Sequence, residues 1–289
     1  MARHSPCIGI CKLDNATGFC LGCGRTGEEI GDWIAMSEAQ RDDVWAELPK
    51  RLTRFSARTR LLPWIRDELV DWVRDSIVAQ RGTWLVGEPG AAAEFPVRDD
   101  LSIDVRVEEG VVTAQRRDGA FRLRVNEKVR AFAFGDGAPI VLGLPKGRAT
   151  IASASSFQAL GPDNDAIAES DRARQLFDLG FGHQRSRFCI RTSDETLASA
   201  LSNQNGRSWS DVALELRDQL IATSPHRIVE TAAARIEVFT GMPDFEKLSP
   251  NDAQTLFLPT FLEPGADIPD RLALPDYAAP IAVFYPDKT

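Results

Sequence analysis

The chain has 289 residues, enough for one large domain or two ordinary ones with cores of their own. Hydrophobic residues make up 43% and charged residues 26%, the balance of a globular protein. The net charge of −8 lies beyond residue 60: residues 1–60 carry nine Lys/Arg against eight Asp/Glu, the remainder 25 against 34. So acidic a body repels phosphates and is a poor surface for wrapping a nucleic acid.

No apolar run approaches the roughly 18 residues of a membrane helix. The first residues, Met1 to Cys7, lack the apolar stretch of a signal peptide, so the expected location is cytoplasmic and no membrane partner is expected.

Four of the five cysteines fall within the first 23 residues: Cys7, Cys11, Cys20 and Cys23, in the spacing C-x3-C-x8-C-x2-C. In a reducing compartment, clustered thiols are metal ligands before they are disulfides. Two close pairs joined by a short loop can converge on one tetrahedral point, and thiolates suit either Zn²⁺ or an iron–sulfur cluster. The second pair reads Cys20-Leu21-Gly22-Cys23-Gly24, whose glycines let the backbone turn its N–H groups toward the sulfurs. Asp14 to Gly18 is turn chemistry, with Gly18 free to take positive φ. So short and Gly-rich a segment has little apolar core in which to bury unligated cysteines.

Two capping boxes follow. Thr26-Gly27-Glu28-Glu29 opens a short helix expected to carry Ile30, Trp33 and Ile34; Ser37-Glu38-Ala39-Gln40 opens one with Val44, Trp45, Leu48 and Leu52 on one face. Trp33 and Trp45 are expected to form a lid over the cysteine loop. Lys50 to Arg60 holds five basic residues and no acid. It is the one place where a nucleic acid or acidic partner could touch, and it reads first as a solvated helix face or linker.

These residues together (Ser5-Pro6-Cys7, Cys11, Cys20, Cys23, Arg25-Thr26, Glu29-Ile30, Trp33 and the Leu48-Pro49-Lys50-Arg51 end) resemble a small family of uncharacterised bacterial proteins usually labelled predicted iron–sulfur proteins. The resemblance covers residues 5–53. It implies a four-cysteine metal module without choosing between zinc and iron–sulfur.

Beyond the basic stretch, Leu61 to Gln80 reads as a helix with Pro63 in its first turn and Ile65, Leu69, Trp72, Val73 and Ile77 at helical spacing. Leu101 to Val107, Val111-Val112, Phe121 to Val125, Val129 to Phe134 and Ile140 to Leu144 read as an antiparallel meander. Glu109-Gly110 and Asp118-Gly119 are its turns. Ala166 to Leu179 reads as a helix, Arg187 to Arg191 as a strand and Glu195 to Leu201 as a helix. Ser208 caps a helix carrying Val212, Leu216 and Leu220. Arg227 to Val229 pairs with Arg235 to Phe239, and Ile281 to Tyr285 is a last strand. Strands in a block with helices later predict an α+β fold. The expected parts are a cysteine-rich module with two short helices (1–53), a basic linker and helix (54–82), and a mixed α+β domain built on the meander (83–289).

Residues 83–286 also resemble, more loosely, a second uncharacterised bacterial family, through Trp84-Leu85-Val86-Gly87, Leu160 to Asp165, Leu176 to Gly180, Phe188 to Thr192 and Ser224 to Arg227. Members carry a Gly-Pro-His-Thr-His stretch near the C-terminus. Here Asp252 to Leu256 has no histidine, so no role of those histidines carries over.

Catalytic signals are sparse. No nucleophile elbow, phosphate loop, zincin or dinucleotide motif occurs. His4 reads as a terminal residue beside the cysteines, His183 as a solvated loop residue and His226 as a turn residue or buried donor. Asp163, Asp165, Glu169 and Asp171 miss the Ca²⁺-loop spacing and read as a solvated acidic loop. Cys189 reads as a small core residue.

The sequence therefore predicts a metal-binding protein, Zn or iron–sulfur, acting as a binding or interaction protein toward a protein or small-molecule partner. One alternative is an iron–sulfur electron carrier or iron/redox sensor. Another is an enzyme using His183, Arg191 or the 163–171 carboxylates in the acidic domain.

Overall fold

The computed structural model describes residues 5–7, 13–15, 17–20, 23–53, 59–79, 81–88, 91–98, 102–134, 139–239, 274–275 and 277–287. Cys11, His4, Arg54, Arg58 and the 252–256 stretch lie outside them.

The Thr26 box forms as read: Glu29 N–H donates to Thr26 Oγ1 and Thr26 N–H to Glu29 Oε2, opening α1 (Gly27–Gly31). The helix stops at Gly31, so Trp33 and Ile34 sit beyond it; Trp33 turns inward and Ile34 stays exposed. Ser37 and Gln40 make the reciprocal pair that opens α2 (Glu38–Thr53), whose Val44, Trp45 and Leu48 are buried.

A three-residue strand, β1 (Thr59–Leu61), then precedes α3 (Arg66–Val78). The helix expected from Leu61 starts five residues later, because Leu61 is paired to a neighbouring strand and Pro63 lies in the extended connection. Its buried face is Leu69, Val70, Val73 and Ile77, while Trp72 is stacked on Trp64 at 4.9 Å.

The body is two antiparallel sheets with helices at their margins, an α+β fold. Its strands are β2 (Arg81–Glu88), β3 (Ala91–Arg98), β4 (Asp104–Glu108), β5 (Val111–Arg116), β6 (Gly119–Arg124), β7 (Arg130–Phe134), β8 (Ile140–Pro145), β9 (Gln158–Pro162), β10 (Gln175–Asp178), β11 (Ser186–Thr192), β12 (His226–Thr231), β13 (Ala234–Val238) and β14 (Ala278–Pro286). One sheet runs β1-β7-β8-β14-β2-β3 and the other β4-β5-β6-β13-β12-β11-β10-β9. They face each other across one core that includes Trp84, Phe95, Phe121, Phe188 and Ile236. The short helices α4 (Glu195–Ser202), α5 (Trp209–Glu215) and α6 (Arg217–Thr223) close one margin, where Trp209 stacks on Phe157.

Three expectations are corrected. The meander is not one sheet: β4 to β6 belong to the eight-stranded sheet, while β7 and β8 pair within the six-stranded one. Ala166 to Leu179 is not a helix but a 3-10 turn (Glu169–Asp171) followed by β10, held between β9 and β11. The helix capped by Ser208 is two helices, broken where Leu216 leaves helical geometry (φ −101°, ψ 14°).

Candidate metal centre

Between Leu13 and Thr26 the described residues form a small hairpin closed by a knuckle. Leu13 bridges Cys20, Asp14 N–H donates to the Phe19 carbonyl, and Gly18 sits at φ 70° where the chain reverses. Asp14 fixes the turn by accepting from Thr17 N–H at 2.9 Å and Thr17 Oγ1 at 2.7 Å. Then Cys20 N–H donates to the Arg25 carbonyl and Gly24 N–H to the Cys20 carbonyl, both at 2.7 Å, with Gly24 at φ 74°.

The Gly24 N–H thus serves the turn rather than a sulfur. Arg25 takes that part, donating to Cys23 Sγ from its backbone and, at 3.4 Å, from Nε.

Cys20 and Cys23 are buried side by side, their thiols hydrogen-bonded to each other, and Cys7 is half-buried. The bond with Cys20 and then burial push the Cys23 thiol up, against the pull of Arg25. None of the described cysteines is in a disulfide. Among the described residues no group of three or more histidine, cysteine or carboxylate side chains is arranged to hold a metal ion; Cys11, the fourth expected ligand, is outside them.

The knuckle is clamped from several sides. Arg25, 2% exposed, lies with its guanidinium carbon 4.6 Å from the Trp33 ring centre. Arg51 of α2 pairs with Glu29 at 2.6 Å, reaches the Gly24 carbonyl and stacks on Phe19. Burial opposes ionisation of Glu29, yet Arg51 and the Thr26 N–H hold its carboxyl below the ordinary range. Within the basic stretch, Arg51 is therefore turned inward, and exposed Lys50 pairs with Glu47.

Two residues that no motif singles out come from the six-stranded sheet and its margin. Arg130 of β7 donates to the carbonyls of Glu127 and Val129, and reaches across to those of Ser5 and Cys7 at 3.2 and 3.4 Å. Burial lowers its pKa, while Glu127, Cys7 and Cys23 favour its charge. Tyr277, just before β14, is 9% exposed, and its buried hydroxyl has no hydrogen-bond partner among the described residues. Burial above all, then Cys23 and Cys20, push that hydroxyl's pKa upward.

Tyr277 packs with Trp33, Val44, Trp45, Leu48, Leu61, Phe132 and Ala278 in one apolar cluster. The two tryptophans thus pack at the junction with the six-stranded sheet, and Trp33 also lies against Arg25 of the knuckle.

A second concentration of charge lies on the face of the eight-stranded sheet turned away from the core. Arg191 meets Asp163 at 2.8 Å, Asp171 at 2.6 Å and Glu237 at 2.7 Å; Arg235 meets Glu237, Glu230 and Asp163. Arg122 and Arg124 share Asp165. The 163–171 segment is therefore not a solvated acidic loop: Asp163 and Asp171 are buried under the arginines, and Glu169 alone of the four stays outside ion pairs with the sheet.

His226 Nδ1 lies 3.1 Å from Arg191, and burial, then Arg191, lower its pKa to about 4. His183 is elsewhere, half-buried against Phe188 and Phe181. Cys189 is a buried neighbour of Leu176 and Ile228, as read.

Residues 68–289 match the model of a family described as "Family of unknown function (DUF6925)". The chain belongs to that family. Its residues 5–52 match a second model, "Protein of unknown function (DUF1289)". Among curated proteins, the uncharacterized protein YdhL of Escherichia coli K12 is 42% identical over 51 residues, which is 18% of this chain and 63% of that protein; YdhL of Shigella flexneri matches equally. The chain thus spans less than two thirds of the length of these relatives. No solved structure matches. No helix among the described residues is long and apolar enough to cross a membrane. Arg130 and Tyr277, which lie near the cysteine module of this DUF6925 protein, fall outside the 5–52 match and inside the 68–289 one.

Proposed function

We propose that Cys7, Cys11, Cys20 and Cys23 hold one metal centre, zinc or an iron–sulfur cluster, and that the chain works as a binding or interaction protein whose N-terminal module is kept folded by the metal. One observation carries this reading. Arg25 and Arg130 are buried around the cysteines, and neither forms a salt bridge among the described residues.

Buried guanidiniums without anions are costly. Four thiolates on a divalent ion carry a net −2, which two arginines would balance, whereas with neutral thiols Arg130 has only Glu127 and Arg25 only Glu29, neither in an ion pair with it. The donor set fits: soft sulfur ligands, a positive-φ glycine after the C-x-x-C, and N–H groups aimed at Cys23.

A zinc ion there would supply cross-linking alone, in keeping with Cys20 and Cys23 being sealed from solvent. The same cations favour the second reading, an iron–sulfur electron carrier or iron/redox sensor, since nearby positive charge stabilises the more negative reduced state of a cluster.

Anaerobic purification with metal analysis and a visible spectrum separates the outcomes. One zinc per chain and no colour supports the first reading, and a brown protein with visible bands the second. A chain that carries and takes up neither metal overturns both.

A further inference from the structure

We propose that the hydroxyl of Tyr277 is a ligand-supporting donor to the sulfurs of Cys20 and Cys23, and that Arg130 positions Cys7, so that the metal centre is finished by the DUF6925 fold. This rests on the metal reading above and adds who builds the outer shell.

Three observations carry it. Tyr277 Oη is buried with no acceptor among the described residues, and its ring shares a cluster with Trp33, over which lies the Arg25 that donates to Cys23 Sγ, a costly arrangement for a hydroxyl unless an acceptor forms. Metal-bound thiolates are such acceptors; neutral thiols are weak ones. Arg130 holds the first described segment by the carbonyls of Ser5 and Cys7 while its own position is fixed by Glu127 and Val129 on the body. Finally, the Tyr277 ring shares one apolar cluster with Trp33, Trp45 and Leu48, so its hydroxyl has little freedom to swing to water. No bond is made or broken; the Oη–H rotates toward a sulfur when the thiols lose their protons to solvent on metal binding.

The test uses the full-length chain, zinc-loaded and chelator-stripped, with Tyr277→Phe and Arg130→Gln. Outer-shell partners typically alter metal affinity by about tenfold or more. Tyr277→Phe is therefore expected to release zinc to a chromogenic chelator about tenfold faster, with one zinc still bound at the outset.

A purely packing role makes a different forecast. Phe keeps the ring, so packing alone would leave release unchanged. The sign of the stability change sharpens this: Tyr277→Phe should melt lower than wild type when loaded and equal or higher when stripped, because only the stripped protein leaves the hydroxyl unsatisfied. Arg130→Gln should speed zinc release as well, through loss of its hold on Cys7.

Unchanged release from Tyr277→Phe, or the same melting shift with and without zinc, overturns the proposal. If wild type binds no zinc and no cluster, the underlying metal reading fails instead, and that outcome is read before any variant is made.

Discussion

The two charged interiors of this molecule are built on opposite terms. On the eight-stranded sheet, Asp163, Asp171, Glu230 and Glu237 all meet a guanidinium, chiefly Arg191 and Arg235. Around the cysteine knuckle, Arg25 donates to the Cys23 sulfur and Arg130 to the Cys7 carbonyl, and no carboxylate forms a salt bridge with either among the described residues. The first region is electrostatically complete within its own chain, so it needs nothing more to be stable. The second holds two buried cations with no ion pair of their own among the described residues, and on the metal reading its sulfurs supply the anions. Burial alone does not mark a functional site; unbalanced burial does.

Breaking the balanced side should have the largest effect. Arg191→Met removes one of the two guanidiniums on each of Asp163, Asp171 and Glu237, leaving Arg235 or Arg174 alone, and is expected to cost about 3–5 kcal/mol in urea unfolding. The loss should be the same with and without chelator, since the lattice does not touch the cysteines; a chelator-dependent loss would erase the contrast.

Acid tests the same lattice more gently. His226 titrates at about 4 in the fold against 6.5 when unperturbed, so the unfolded chain binds the proton first. Stability is then full above pH 6.5 and falls as the pH drops toward 4, by at most about 3.4 kcal/mol at 1.36 kcal/mol per unit. Urea midpoints measured across that window should decline, and His226→Asn should flatten the decline.

On the unbalanced side, stripping the metal should lower apparent stability by about 2.7 kcal/mol when free metal had stood at a hundredfold over its dissociation constant. Melting curves with and without chelator read this directly, and Cys20→Ser should abolish the difference. The smallest effect is expected of Thr26→Ala, about 1 kcal/mol from the lost cap. It should appear as weaker zinc retention as well, because Thr26 follows the knuckle directly and bridges Phe19.

Much of the local structure was legible because its causes are local. The Thr26 and Ser37 boxes, the Asp118-Gly119 turn and helix α4 each depend on residues within four positions of one another. The 163–179 region was misread because its cause is remote. Ala166 to Leu179 has helix-compatible spacing, but Asp163 and Asp171 are pulled down by Arg191 and Arg235, up to 72 residues away, and Gln175–Asp178 is claimed by two flanking strands. The hairpin of β2 and β3 was passed over, and the change of sheet after β6 leaves no mark, since strands of either sheet share the same two-residue period.

The candidate site divides the same way. The cysteine spacing announces itself, and the helices after it carry their own caps. Arg130 and Tyr277 stand more than 100 and 250 residues from the knuckle, in a strand and a strand margin whose residue types are unremarkable there. Only folding brings them alongside.

The short strand β1 has a practical bearing on dissecting the chain. Thr59–Leu61 falls in neither matched segment, 5–52 or 68–289, yet it pairs with β7 along one border of the six-stranded sheet. A cut at residue 68 would strip that border and leave the amide and carbonyl groups of Arg130–Phe134 open to any strand in solution, a template for self-association. Fragments of the DUF6925 portion that begin before residue 59 should stay dispersed, where those trimmed to residues 68–289 should clump.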